Sequence, residues 1–164
     1  MVDQSTKRPD ERLLLLAAKL GHDFIVSAFV GRVDVDLNVK TGPGQTALSL
    51  AAENGHADIV EILLTRQDVD VNTQDTDNQT PFGWAVFNGH ATVVANLLRN
   101  PKVRLDVADI GGRTPLSWAI INRHDLILGL LLHRLGLCCA RKTRRALFRS
   151  AEESKFQRQV APLH

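Results

Sequence analysis

The chain has 164 residues, a formal net charge of +2 at pH 7, and a composition of 44% hydrophobic, 23% charged and 5% aromatic residues. This length suits one compact domain or one short repeat array, and it is too short for two ordinary domains joined by a linker. No apolar run approaches the ~20 residues that a membrane-spanning helix needs, so we expect no membrane segment.

The first predicted elements are a polar N-terminal tail, residues 1–9, and a helix that includes Leu13 to Ala18. Because the tail carries no apolar block followed by a small-residue cleavage site, no secretory signal is visible. Pro9 to Arg12 precede this helix and are expected to form a polar lid on it. We therefore expect an intracellular protein, with the cytoplasm as the first location and the nucleus as the alternative.

A Gly-His pair follows the first helix and marks an internal repeat. The pair occurs at Gly21, Gly55 and Gly89, and Arg123 followed by His124 continues the series, so the period is 34 residues. Paired small or aliphatic residues lie four positions before each of these pairs, and paired large apolar residues lie eight positions after it. The chain therefore contains four copies of one unit.

Each copy is predicted to contain a helix, a tight turn, a second helix and an extended loop. Thr80-Pro81 and Thr114-Pro115 place a capping hydroxyl before a proline at the first helical position, where the missing N–H would be unpaired anyway. Asn, Asp and Gly residues between 72 and 80 and between 106 and 114 supply the turns. Because neither helix can bury its apolar face alone, the copies are expected to stack into an all-α solenoid.

Residues 44–56 (GQTALSLAAENGH) and 112–119 (GRTPLSWA) resemble the ankyrin repeat, and the likeness extends over roughly residues 10–137. The Ser-Trp pair and the Val-Asp-Val-Asn ending are similar to ankyrin arrays common in filamentous fungi. The resemblance implies four repeats, at about 10–40, 41–74, 75–108 and 109–140, with hairpin-like loops. Residues 141–164 are expected to form a degenerate, basic capping repeat. Ser49, Gly83 and Ser117 replace the histidine usual in the family. The hydrogen-bond network that this histidine forms between repeats should therefore be shortened or lost.

Polar side chains that could suggest chemistry recur with the repeat. Stacked helices lie about 8 to 10 Å apart, so the histidines at 22, 56, 90 and 124 cannot share a metal ion whose ligands lie about 2.0 to 2.1 Å away. Each imidazole is interpreted as fixing the turn between its two helices. Ser49, His56 and Asp58 form no predicted nucleophile, and the adjacent Cys138 and Cys139 lack zinc or redox spacing. We expect no enzymatic activity, no metal and no cofactor.

The resemblance implies a module that binds another protein on a concave face formed by the first helices and the loop tips. Phe87 and Ile121 are large and apolar where the pattern expects solvent, and their alternative is to pack on Trp84 and Trp118. The predicted binding residues are Leu20, Glu53, Asn54, Thr76, Asp77, Gln79, Phe87, Asn88, Ile110, Arg113, Ile121 and Asn122. The alternative function is a structural fragment of a longer ankyrin array or receptor, without independent binding activity.

Basic residues are concentrated near the C-terminus, where residues 140–164 contain seven Lys and Arg against two Glu. Three interpretations remain open: a solvated face of the cap, a site for an anionic partner, or a nuclear-import patch. Nucleic acid is the weaker partner class, because no aromatic stacking platform lies beside the cluster. The cluster consists of Arg141, Lys142, Arg144, Arg145 and Arg149.

Overall fold

Four helix pairs follow one another along the chain. The computed structural model describes residues 9–136, and every regular element in that range is an α-helix. The helices are α1 Pro9–Leu20, α2 Asp23–Val30, α3 Ala47–Glu53, α4 Ala57–Leu64, α5 Pro81–Phe87, α6 Ala91–Leu98, α7 Pro115–Ile121 and α8 Asp125–Arg134. None of these eight is long and apolar enough to cross a membrane. The predicted all-helical repeat architecture is confirmed.

Threonine hydroxyls start three of the four first helices, as the sequence predicts. Thr46, Thr80 and Thr114 have extended backbone, and each hydroxyl accepts a hydrogen bond from the N–H three residues later, at 3.0 to 3.4 Å. Pro81 and Pro115 take the first helical position after two of these caps. Each hydroxyl thus satisfies one of the N–H groups that a helix start leaves unpaired.

The beginning of α1 differs from its prediction. Residues 10–12 are not a separate lid, because they belong to the first turn of a helix that begins at Pro9. Further along this helix, Leu13, Leu16 and Leu20 are 46%, 52% and 55% exposed. Their spacing of three and four residues places them on one side of α1. The first repeat therefore carries apolar surface at the front of the array.

A left-handed residue ends each first helix. Gly21, Gly55 and Gly89 have φ near +80°, and Arg123 takes the same place with φ of +57°. The next residue is always a histidine, whose N–H donates to a carbonyl oxygen five residues earlier, as in the 2.9 Å bond from His56 to Ala51. This turn satisfies a carbonyl at the helix end and reverses the chain into the second helix.

The helices form two stacked rows. First helices α1, α3, α5 and α7 pack in order, and second helices α2, α4, α6 and α8 pack beside them in the same order. Small side chains allow this close approach in the first row, since Ala17, Ala51, Ala85 and Ala119 are at most 1% exposed. The second row contributes larger apolar residues at equivalent positions, namely Val26, Val60, Val94 and Leu128, which are also at most 1% exposed.

Hydrogen bonds from the histidines join successive repeats. The Nε2 atoms of His56 and His90 lie 3.0 Å from the main-chain oxygens of Lys19 and Glu53, and that of His124 lies 3.2 Å from the oxygen of Phe87. The prediction that each imidazole fixes its own turn is therefore incomplete. The ring reaches across to the end of the preceding first helix, 37 residues earlier in the chain.

A second set of bonds joins the loops. Asn38 donates from Nδ2 to the main-chain oxygen of Asp68 at 2.7 Å, and its Oδ1 accepts from the N–H of Asp70 at 2.7 Å. Asn72 makes the equivalent two bonds one repeat later, to residues 102 and 104. Each asparagine therefore acts as a bridge between its own repeat and the following one.

Some predictions concern the tail and the C-terminal segment, outside residues 9–136. The predicted capping repeat, its basic cluster from Arg141 to Arg149, and Cys138 and Cys139 lie outside the described residues.

Candidate functional site: the concave face

The surface predicted as the concave face consists of the first helices and the three loop turns at residues 41–45, 75–79 and 109–113. A backbone bond closes each turn, such as the 3.1 Å bond from the N–H of Asp75 to the oxygen of Gln79. Neighbouring turns are joined as well, since Thr76 donates to Pro43 and Ile110 donates to Asp77. The turns therefore form one continuous edge along the first helices.

Residue types on this face change along the array. One position of the first helix is occupied successively by Leu16, Leu50, Trp84 and Trp118, and another by Lys19, Glu53, Phe87 and Ile121. The first two repeats thus combine leucine with charge, whereas the last two present aromatic and aliphatic side chains. The concave face has two chemically different halves.

An aromatic row, made of Trp84, Phe87 and Trp118, occupies the second half. The ring of Phe87 meets Trp84 with centroids 5.9 Å apart and Trp118 with centroids 4.6 Å apart, both edge-on at 89°. All three side chains are half-buried. Edge-to-face pairs of this kind stabilise by about 0.5 to 1.5 kcal/mol beyond area burial. The rings therefore hold one another in place while keeping part of their surface exposed.

Carboxylates in the loop turns fix both tryptophans. The indole N–H of Trp84 donates to Asp75 at 2.7 Å, and that of Trp118 donates to Asp109 at 2.9 Å. Asp75 also accepts from the N–H groups of Asp77 and Gln79 at 2.9 Å, so it closes its own turn at the same time. Each tryptophan is thereby tied to the turn beside it.

Arg113 adds a cation to the row. Its guanidinium carbon lies 4.6 Å from the centre of the Trp118 ring, within the range of a cation–π contact. The side chain is half-buried, and it belongs to the turn whose Asp109 accepts the Trp118 N–H. Ile110, in the same turn, is 71% exposed.

A groove lies in the first half of the concave face. It encloses about 350 Å³ between α1, the start of the second repeat and the turn at residues 41–45. Leucines form its floor, and Arg12 and Lys19 of α1 line its wall. Neither residue is among the predicted binding residues.

The structure places some predicted binding residues where a partner could reach them. Thr76 and Asp77 are exposed at a turn, and Phe87 and Ile121 are half-buried on the first helices. Both alternatives stated for Phe87 therefore hold at once, because its ring packs on both tryptophans and is also partly accessible. Leu20 is exposed as well, at the end of α1.

Other predicted residues have structural roles. Gln79 is one of the predicted binding residues, but it is 8% exposed, and its Oε1 fills the space beside Gly83. The side-chain amides of Asn54, Asn88 and Asn122 donate to the main-chain oxygens of Leu50, Glu53 and Phe87. Glu53 accepts a 2.8 Å bond from Gln45. The amide of Asn54 thus bonds the end of its own helix, whereas those of Asn88 and Asn122 join neighbouring first helices, so all three are weaker candidates for partner contact.

The side chains considered for chemistry also have structural partners. The hydroxyl of Ser49 pairs with that of Thr46 at 3.2 Å, and His56 bonds the oxygen of Lys19. Between residues 9 and 136, no group of three or more His, Cys, Asp or Glu side chains is arranged to hold a metal ion.

One signal in the sequence could have revealed the anchored tryptophans. Asp75 and Asp109 are one period apart, and each lies nine residues before a tryptophan. Because the aspartate and the tryptophan recur together at the same separation, the pattern predicts that they contact each other, which neither residue predicts alone.

Comparison with known proteins adds one finding to this geometry. The family model described as ankyrin repeats in three copies matches residues 14–109 and also residues 67–143. None of the curated proteins matches the chain.

Proposed function

Because this chain belongs to the ankyrin-repeat family, whose repeats are generally protein–protein interaction modules, we propose that it binds a partner protein through the concave face. The aromatic row is the centre of the proposed interface. Ankyrin-repeat proteins are typically non-enzymatic, and we propose the same for this chain. The partner is proposed to be a protein, held without a metal or cofactor.

The observation that carries the proposal is the fixed, half-exposed state of three neighbouring rings. Binding hot spots are enriched in tryptophan, tyrosine and arginine, and they lie in well-packed pockets near the centre of an interface. The carboxylates of Asp75 and Asp109 already hold the indoles. Ordering these side chains on binding therefore costs little free energy. Thr76, Asp77 and Ile110 would surround them.

The test truncates the proposed anchors singly. We expect Phe87→Ala and Ile121→Ala each to weaken partner binding by ~2 kcal/mol, or roughly 30-fold in Kd. The partner would first be identified by affinity capture and mass spectrometry, then purified and titrated calorimetrically against each variant. Helical content would be followed by circular dichroism, because the Phe87 ring contacts both tryptophans.

Two matched controls are available on the second helices. Phe24 and Leu126 are 83% and 69% exposed, so Phe24→Ala and Leu126→Ala remove similar apolar groups away from the concave face. Both controls should keep full affinity. If Phe87→Ala and Ile121→Ala bind the partner as tightly as the wild type, neither side chain anchors the partner, and the proposed centre of the interface is wrong.

A structural fragment of a longer array is the second candidate function. It is supported by Leu13 and Leu16, which are exposed although their counterparts one period later, Ala47 and Leu50, are 0% and 4% exposed. A further repeat stacked on α1 would cover these leucines. Two observations together would favour this candidate. The purified, folded chain would bind no partner, and a version with added repeats would gain binding.

A further inference from the structure

The groove in the first half of the concave face has an apolar floor and basic walls. Its volume is about 350 Å³, and it opens between α1 and the turn at residues 41–45. The residues that define its chemistry are Arg12, Leu15, Leu16, Lys19, Pro43 and Leu50. Among the described residues that line it, the only charged ones are the cations Arg12 and Lys19.

The two cations of this groove are available to a ligand. Neither the Arg12 nor the Lys19 side chain forms an ion pair with any residue between 9 and 136. The nearest acidic group on the neighbouring helix, Glu53, already accepts a hydrogen bond from Gln45. Arg12 and Lys19 are separated by seven residues, which is about 10.5 Å along the helix axis and close to two full turns. They therefore lie on the same side of α1.

The repeat itself does not require cations at these positions. The counterparts of Arg12 are Thr46, Thr80 and Thr114, which cap helices, and the counterparts of Lys19 are Glu53, Phe87 and Ile121. Two other arginines pair with carboxylates of the array, since Arg32 bonds Asp10 and Asp34 and Arg66 bonds Asp68. The two groove cations are specific to the first repeat, and within residues 9–136 they pair with no carboxylate.

We propose that this groove binds a partner segment in which one bulky aliphatic side chain stands between two carboxylates. The inference rests on the proposed function, because it names the chemistry of the partner at one end of the concave face. The leucine floor would take the aliphatic side chain, and Arg12 and Lys19 would each pair with a carboxylate. In an extended segment, residues i, i+2 and i+4 point to the same side. Residues i and i+4 are about 13 Å apart, which the long Arg and Lys side chains can span.

The probe that tests this is a synthetic peptide of sequence Gly-Glu-Ser-Leu-Ser-Glu-Gly, acetylated and amidated at its ends. Titration into the ¹⁵N-labelled full chain should shift amide signals of α1 and of residues 41–45. A peptide with lysine in place of both glutamates, and one with alanine in place of leucine, should each bind at least tenfold more weakly. The affinity for the glutamate peptide should also fall as salt rises, because the pairs are partly exposed.

Charge reversal supplies the matched variant. Arg12→Glu combined with Lys19→Glu should weaken the glutamate peptide at least tenfold and strengthen the lysine peptide. Arg99→Glu combined with Lys102→Glu makes the same change of net charge at exposed positions away from the groove, and it should leave both affinities unchanged. Circular dichroism would verify that both variants keep their helices.

Three results would overturn the inference: no shift of α1 signals at millimolar peptide, equal affinity for the glutamate and lysine peptides, or an equal loss in the control variant. Capture of the protein partner by the same variants distinguishes a failure of the groove inference from a failure of the proposed function. If its capture depends on Phe87 and Ile121 but not on Arg12 and Lys19, the concave face binds as proposed and the inference about the groove is wrong. If capture depends on neither pair, the proposed function fails as well.

Discussion

The imidazole Nε2 of His90 lies 3.0 Å from the main-chain oxygen of Glu53, the last residue of the preceding first helix. The same oxygen also accepts a 3.0 Å bond from the side-chain amide of Asn88. Two side chains of one repeat thus bind a single carbonyl of the repeat before it. This arrangement joins the end of one helix to the turn that follows the next first helix.

His90→Ala should lower the free energy of unfolding by about 1 kcal/mol, because one hydrogen bond between repeats is lost. His22 supplies the control, since it occupies the same position in the first repeat and is exposed. His22→Ala should change the urea midpoint by much less. Equal losses in the two variants would show that the bond to the preceding repeat contributes nothing.

Gly55→Ala should destabilise the protein by about 1 to 2 kcal/mol. Gly55 has φ of +79°, which is costly for any residue with a Cβ atom. A Cβ atom there would also lie 2.7 Å from Nδ1 of His90. Gly129→Ala is a suitable control, because a Cβ atom at Gly129 meets nothing within 4 Å. That control, in the middle of α8, should instead stabilise by about 0.5 to 1 kcal/mol.

Arg123→Gly should raise the free energy of unfolding by about 1 kcal/mol. Arg123 occupies the left-handed position that is glycine in the other three repeats, with φ of +57°. Thermal unfolding would measure the gain, and Arg99→Gly would be the control, because Arg99 has ordinary helical backbone. A lower melting temperature for Arg123→Gly would mean that the arginine side chain stabilises the protein by more than its backbone strain destabilises it.

Gly83→Ala should stabilise the protein by less than the ~1 kcal/mol that glycine to alanine inside a helix usually gives. The added Cβ atom would displace Oε1 of the buried Gln79. Gln79→Ala removes that obstacle, so the double variant should be more stable than the two single changes predict. A coupling energy of about 1 kcal/mol or more is expected in the double-mutant cycle. Strictly additive changes would contradict the contact.

Acid should weaken the bond between Arg66 and Asp68. A 2.6 Å hydrogen bond from Arg66 lowers the pKa of the Asp68 carboxyl below its usual range, while the same guanidinium donates to the main-chain oxygens of Val30 and Arg32. Because the folded pKa is the lower one, this stabilisation is present above the unfolded pKa and is lost as pH falls through the folded value. Wild type should therefore exceed Asp68→Asn in melting temperature at pH 7, and the difference should shrink towards pH 3. A pH-independent difference would exclude ionisation as its cause.

Local rules of the sequence predicted the helix pairs, because their signals lie within a few residues of one another. Thr80 and Pro81 define a helix start without help from the rest of the chain, and Gly89 with His90 defines a turn. The interactions between repeats were harder to predict, since they depend on the offset between stacked helices. The partner of the His90 ring lies 37 residues away, and the period alone does not say which atom it meets.

Side-chain direction explains why parts of the concave face differ from what the sequence predicts. Gln79 is polar and belongs to a turn, which favours exposure, yet the missing side chain at Gly83 leaves a space that it fills. Neither Arg12 nor Lys19 is among the predicted binding residues, because the repeat pattern predicts no cation at either position and only the first copy has one there.

The histidine bonds all run in one direction, from the imidazole of a later copy to a carbonyl of the copy before it. A repeat that is added by duplication after an existing one brings its own imidazole donor. The carbonyl that this imidazole needs is already present in the repeat before it. Loss of the first unit, by contrast, leaves the imidazole of the next one without its acceptor. The direction of the bond therefore makes the two ends of the array unequal: an added last repeat finds its acceptor, whereas removal of the first repeat costs the next histidine its bond.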